Sequence, residues 1–130
     1  MNHSNQKRIL IIEDNVTYSR MLQIRLESIG YRVLVAMDGL QGLNLAQKER
    51  PDLIILDLML PEMGGHKVCR LIKFDSKIKN IPIVILTCKN MTKDVELAIE
   101  NHVDAFIVKG TKTEILLNVV EKLLRKRKET

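Results

Sequence analysis

Leu53-Ile54-Ile55-Leu56-Asp57 decides the fold: four apolar residues without a break, ending on a carboxylate. A strand with one wet face alternates apolar and polar side chains. A strand buried on both faces does not, and this run does not. Pro61 and the pair Gly64-Gly65 follow it, as a loop would. The same design recurs along the chain. Ile9-Leu10-Ile11-Ile12 ends in Glu13-Asp14, Ile83-Val84-Ile85-Leu86 ends in Thr87, and Phe106-Ile107-Val108 ends in Lys109. Four buried strands thus each deliver a polar group at the C-terminal end. In a parallel sheet those ends share one edge, and that edge is where ligands bind.

A fifth apolar run, Val33–Ala36, completes the strands. The segments between them have helical spacing. Val16 to Ile29 sets Met21, Leu22, Ile24, Leu26 and Ile29 near one face and stops at Gly30. Gly39 to Glu49 carries Leu40, Leu43, Leu45 and Ala46, with Asp38 and Gln41 spaced as a capping box. His66 to Phe74 and Met91 to Asn101 supply two more helices. Thr111 and Glu114 form a second capping box ahead of Ile115, Leu116, Val119, Val120, Leu123 and Leu124. Five strands alternating with five helices predict an α/β domain, a parallel sheet with helices on both faces. The sequence contains no internal repeat, low-complexity stretch or linker, and 130 residues suffice for one domain with its own core.

Composition narrows the function. Apolar residues make up 45% of the chain, which excludes a disordered protein. Aromatics are only 3%, too few to stack nucleic-acid bases. No apolar run reaches the roughly 20 residues of a membrane span, and no signal segment follows the polar start, so a cytoplasmic protein without membrane contact is expected. Cys69 and Cys88 lack metal-type spacing and read as reduced buried thiols, although Cys88 borders the polar edge. The formal charge is +5. Basic residues gather at Lys67, Arg70, Lys73, Lys77 and Lys79, and again from Glu121 to Thr130, where five basic residues face two acidic ones. Solvated faces account for both sets, and the sharper alternative is a docking surface for an acidic partner.

Glu13, Asp14 and Asp57 converge if the first and third strands are neighbours, as in the flavodoxin-like order 2-1-3-4-5. Three carboxylates so close raise one another's pKa values, and a hard divalent cation relieves the repulsion. Lys109 adds an ammonium that pairs with a carboxylate or a phosphoryl group, and Thr87 adds a hydroxyl. A carboxylate can itself act as nucleophile, giving an aspartyl-phosphate. Asp57 is the best candidate, because its proline- and glycine-bearing loop can open around it. Singly, each of these residues reads as a turn, a cap or a solvated side chain. Their occurrence together favours chemistry.

These motifs closely resemble the receiver domain of two-component response regulators. The resemblance covers nearly the whole chain, and it rests on Ile-Ile-Glu13-Asp14-Asn, Leu-Asp57-Leu-Met-Leu-Pro61-Glu-Met-Gly-Gly65, Leu-Thr87-Cys and Phe106-Ile-Val-Lys109. It implies a flavodoxin-like doubly wound sheet in the order 2-1-3-4-5, with a domain at residues 7–124 between short tails, 1–6 and 125–130. It implies Asp57 as phosphoacceptor and Mg²⁺ held by Asp14, Asp57 and the Met59 carbonyl, with Glu13 acting mainly through water. Lys109 and Thr87 would then meet the phosphoryl group. Phe106 stands at the position of a switching aromatic, or is simply a core aromatic. Met59 and Lys89 fall where side chains tune phosphoryl lifetime.

The implied function is a signalling switch, not an enzyme. It would accept a phosphoryl group from a histidine kinase or phosphotransfer protein and change its output face for a downstream protein or a homodimer. Nucleic-acid binding is not expected of this chain alone, which reads as a stand-alone receiver or one excised from a longer protein. The alternative is a degenerate receiver that acts as an interaction module without switching. A phosphohydrolase is disfavoured, because Met59 stands where that chemistry needs a second aspartate. Several positions depart from the family pattern. Gly110 replaces a proline that usually follows the lysine, Gly64 replaces a common aspartate, Cys88 a common alanine, and His102 a glycine that often ends the fourth helix. His66 and His102 read as exposed or capping residues.

Overall fold

A computed structural model describes residues 6–88 and 103–129, together with residue 96. Apart from Glu96, the helix expected at 91–101 lies outside the described residues, as do the readings made at Lys89 and His102. The described elements run β1 (Arg8–Ile12), α1 (Val16–Ser28), β2 (Arg32–Ala36), α2 (Gly39–Glu49), β3 (Leu53–Asp57), α3 (Gly65–Phe74), β4 (Ile83–Thr87), β5 (Ala105–Val108) and α4 (Thr113–Glu129). All strand pairs are parallel, and the order is β2-β1-β3-β4-β5. The winding therefore reverses between β1 and β3, which opens a crevice at their carboxyl ends.

The unbroken apolar runs are explained by a core on each side of the sheet. Successive strand residues point to opposite faces. Leu10, Ile12, Ile54, Leu56, Ile83 and Ile85 pack with Ala46 of α2 and with Val68, Cys69 and Ile72 of α3. Ile9, Ile11, Leu53, Ile55, Val84 and Leu86 pack with Leu22 and Leu26 of α1 and with Leu116, Val120 and Leu124 of α4. β1, β3 and β4 are buried along nearly their full length, whereas β5 at the edge is half-buried. Phe106 joins the α2–α3 side as a partly buried side chain. Among the described residues, no helix is long and apolar enough to cross a membrane.

Helix starts follow their capping chemistry. The Asn15 side chain accepts the Tyr18 N–H at 2.9 Å and starts α1. Asp38 accepts the Gln41 N–H at 2.8 Å, while the Gln41 side chain reaches back to the Met37 N–H at 2.7 Å, one residue beyond the expected partner. The second expected box differs. α4 begins at Thr113, and the Glu114 carboxylate pairs with Arg25 at 3.3 Å. The same helix runs on through the segment expected as a tail, where Arg125 pairs with Glu121 one turn back and Arg127 donates to the Asp52 carbonyl at 2.7 Å.

The amino-terminal edge of the sheet repeats one device twice. Asp52, just before β3, donates its N–H to the Arg8 carbonyl and accepts the Arg8 N–H on its carboxylate, both at 2.8 Å. Asp104, just before β5, does the same with Ile83, at 3.0 and 2.8 Å. Neither cysteine forms a disulfide. Cys69 is buried, and burial pushes its thiol up to about 11. Cys88 departs from the expectation: it is exposed, because it lies one residue past the end of buried β4.

Candidate functional site

The carboxyl edge of the sheet gathers the polar groups that end its strands. Glu13 and Asp14 follow β1, Asp57 ends β3, Thr87 ends β4 and Lys109 follows β5. Ile12 pairs with Leu56 across β1 and β3, so Glu13 abuts Asp57. One ligand oxygen from each of Glu13, Asp14 and Asp57 falls within 4.8 Å of the others. Glu13 and Asp57 are buried, and Asp14 is exposed at the mouth. The sequence expectation for this trio therefore matches their geometry.

Backbone groups orient the two buried carboxylates. Glu13 Oε2 accepts the Asn15 N–H at 3.0 Å, and Asp57 Oδ1 accepts the Met59 N–H at 3.0 Å. The Lys109 ammonium forms an ion pair with Glu13 Oε1 and lies 3.4 Å from Asp57 Oδ2. It also sits 4.8 Å from the centroid of the Tyr18 ring. Burial pushes Glu13 up to about 7, against the pull of Lys109 and the Asn15 N–H, and neighbouring Asp57 adds to the rise. Lys109 is raised above its ordinary value, since the two carboxylates outweigh its own burial. Among the described residues, one ammonium thus serves a cluster of three carboxylates and touches two of them, Glu13 and Asp57. An all-oxygen donor set with uncompensated negative charge suits a hard divalent cation.

The other expected residues lie around this cluster. Thr87 is buried at the end of β4, and its carbonyl accepts the Lys109 N–H at 2.6 Å. Asp57 pairs in register with Leu86, so Thr87 stands one residue beyond it along the edge. Met59 touches Asp57 through its backbone, while its side chain is exposed. Gly65 lets α3 start directly under Asp57: an added Cβ would lie 2.4 Å from the Asp57 carbonyl oxygen. Among the described residues every peptide bond is trans, the Lys109–Gly110 bond included, and Gly110 takes a φ of +97° that favours glycine. His66, expected to be exposed or capping, lies half-buried in the first turn of α3. Tyr18 was not singled out in the sequence. Its position beside the site follows from its place in the first turn of α1, immediately after the acidic pair.

This arrangement can hold a divalent cation, present a buried carboxylate as nucleophile and set an ammonium beside it. Comparison with known proteins agrees. Residues 9–121 match the family model described as "Response regulator receiver domain". The DNA-binding response regulator MtrA of Mycobacterium tuberculosis (strain ATCC 25618 / H37Rv) is 41% identical over 121 residues, covering 93% of this chain and 52% of that protein. The chain spans about half the length of the curated relatives it matches. The signal receiver domain of a signal transduction histidine kinase from Syntrophus aciditrophicus superposes with a TM-score of 0.89 at 35% identity, over 95% of this chain and 94% of that one. The receiver domain of sensor histidine kinase PA1611 from Pseudomonas aeruginosa PAO1 was solved with a magnesium ion in its active site cleft. It superposes with a TM-score of 0.85 at 28% identity, over 92% of this chain and 98% of that one.

Proposed function

The chain belongs to the response regulator receiver family, and from that premise we propose that Asp57 is its phosphoacceptor. A receiver domain is a regulatory module of two-component signalling that works with histidine kinases. The observation that carries the assignment is the setting of Asp57. It is buried at the end of β3, one oxygen is fixed by the Met59 N–H, and the other faces Lys109 and the carboxylates that follow β1.

In the transfer, Asp57 Oδ2 attacks the phosphorus of a phosphohistidine. The O–P bond forms, the P–N bond breaks, and the imidazole leaves with the electron pair. Lys109 follows the negative charge from the carboxylate to a phosphoryl oxygen, and the Thr87 hydroxyl donates to another. Asp14 and Asp57, with the Met59 carbonyl and with Glu13 through water, would hold Mg²⁺, as a magnesium ion is held in the cleft of the Pseudomonas receiver. When bound, the cation neutralises charge on the phosphoryl oxygens.

Thr87 moving toward the phosphoryl group leaves space that half-buried Phe106 fills, which alters the β5 face for a protein target or a second copy. The receiver unit is assigned to residues 7–124. The cytoplasm is its compartment, because phosphohistidine is made there from ATP. DNA binding belongs to relatives about twice as long and is not assigned to this domain.

Incubation with acetyl phosphate and Mg²⁺, followed by intact mass, tests the assignment. One added phosphoryl mass on the wild type and none on Asp57→Asn is expected. Equal labelling of both proteins sinks it. Gly110 and Phe106 support a second reading, an interaction module that no longer switches. Stoichiometric labelling with no change in partner affinity or dimerisation would favour that module.

A further inference from the structure

We propose that Tyr18 is a positioning residue for Lys109, holding its ammonium beside Asp57 through the face of the aromatic ring. The inference rests on the reading above, in which Lys109 meets the phosphoryl group. Nζ lies 4.8 Å from the ring centroid, inside the range of about 6 Å over which a ring face attracts a cation.

The backbone fixes where the Lys109 side chain starts, since its N–H is tied to Thr87 at 2.6 Å and the Thr111 N–H to the Val108 carbonyl at 3.1 Å, but the long flexible stem beyond it is placed by what its ammonium meets. Among the described residues, the ammonium meets Glu13, Asp57 and the Tyr18 ring. Two of the three change during function. Asp57 gives up an anionic oxygen when that oxygen bonds to phosphorus, and Glu13 is shared with any cation the cluster holds. The ring carries no charge and competes for no metal, so its contact persists through both events.

Tyr18 is itself well anchored. Its N–H donates to the Asn15 cap at 2.9 Å, and its side chain packs, half-buried, against the Ile9–Ile11–Leu22 side of the core. An ammonium over a ring face needs no single angle, so Lys109 can slide from carboxylate to phosphoryl oxygen without leaving it.

The full chain is compared as wild type, Tyr18→Phe and Tyr18→Leu. The first readout is the NMR shift of the Lys109 Hε protons without metal or phosphodonor, which reports the ring directly. The second is the rate of labelling by acetyl phosphate with Mg²⁺, and thermal unfolding checks that each variant is folded. Tyr18→Phe is expected to keep both the upfield Hε shift and the wild-type labelling rate. Tyr18→Leu is expected to lose the shift and to label about five- to tenfold more slowly. A leucine variant that labels at the wild-type rate, or keeps the shift, overturns the proposal. So does a phenylalanine variant as slow as leucine, which would assign the role to the hydroxyl. If the wild type takes no phosphoryl group at all, the phosphoacceptor reading fails. The Lys109 shift across the three proteins then decides the ring contact by itself.

Discussion

The two ends of the sheet use the same side chain to opposite ends. At the amino edge, Asp52 and Asp104 each pair with both backbone groups of a residue on the neighbouring strand. Each carboxylate's need for donors is met by a backbone N–H, and Lys73 lies 3.9 Å from Asp104 as well. At the carboxyl edge, Glu13, Asp14 and Asp57 crowd together with one lysine between them. The first arrangement is closed and holds strands in register. The second is open, and its excess negative charge is an invitation to a cation. A carboxylate at a strand end is thus structural or chemical according to whether it stands apart on its donors or is crowded against other carboxylates.

The largest effect should come from exchanging the two roles. Asp57→Asn is expected to abolish phosphoryl labelling while leaving the thermal midpoint unchanged or higher, because it removes charge from a crowded site. Asp104→Asn should label like the wild type. If the two variants label alike, the edges are not functionally distinct.

The next effect is a pH dependence confined to the open edge. Glu13 has an ordinary value of 4.5 and is raised to about 7 in the folded protein. Between those values the native state keeps a proton that the unfolded chain has released. The contribution of Glu13 to the stability of the metal-free protein is therefore fully present below the ordinary carboxylate range and is lost as pH rises through about 7. Urea midpoints in EDTA should drop from about pH 5 to about pH 8, and Glu13→Gln should flatten the slope. Magnesium should restore more stability at the higher pH than at the lower, since it binds the ionised cluster.

The closed edge answers to stability instead. Asp104→Ala leaves the buried Ile83 N–H without its acceptor and should cost about 1–3 kcal/mol in denaturant unfolding, with labelling intact. Smallest of all is Arg127→Ala, which removes an exposed bond to the Asp52 carbonyl. A loss of about 0.5–1 kcal/mol is expected, measured the same way.

The contrast between the edges also marks what was legible in the sequence. Unbroken apolar runs announced strands buried on both faces, and the polar residue ending each run announced the open edge. Those signals are local, one run and one terminus at a time. Asp52 and Asp104 escaped notice because their meaning lies in a neighbouring strand, on Arg8 and Ile83. Tyr18 escaped for a similar reason, since its importance arises only where β5 brings Lys109 over the first turn of α1. The course of α4 past Leu124 was obscured by a run of basic residues. That run looks like a tail until Arg125 and Arg127 are seen to find partners. Cys88 looked buried because the strand before it is.

Leu58 carries a consequence for how the site is reached. Its N–H donates to Leu86 at 3.0 Å, and its carbonyl accepts the N–H of Gly65 at 3.1 Å. The chain from 58 to 65 is thereby a ring closed at its base, fastened to the sheet through Leu58 and to α3 through Gly65, with the Met59 N–H also holding Asp57 Oδ1. A protein that presses on exposed Met59 can reshape the doorway to Asp57 while the sheet behind it stays still. If Asp57 is the phosphoacceptor, entry and readout would then be mechanically separate, the ring admitting the phosphoryl group and the far strands reporting it.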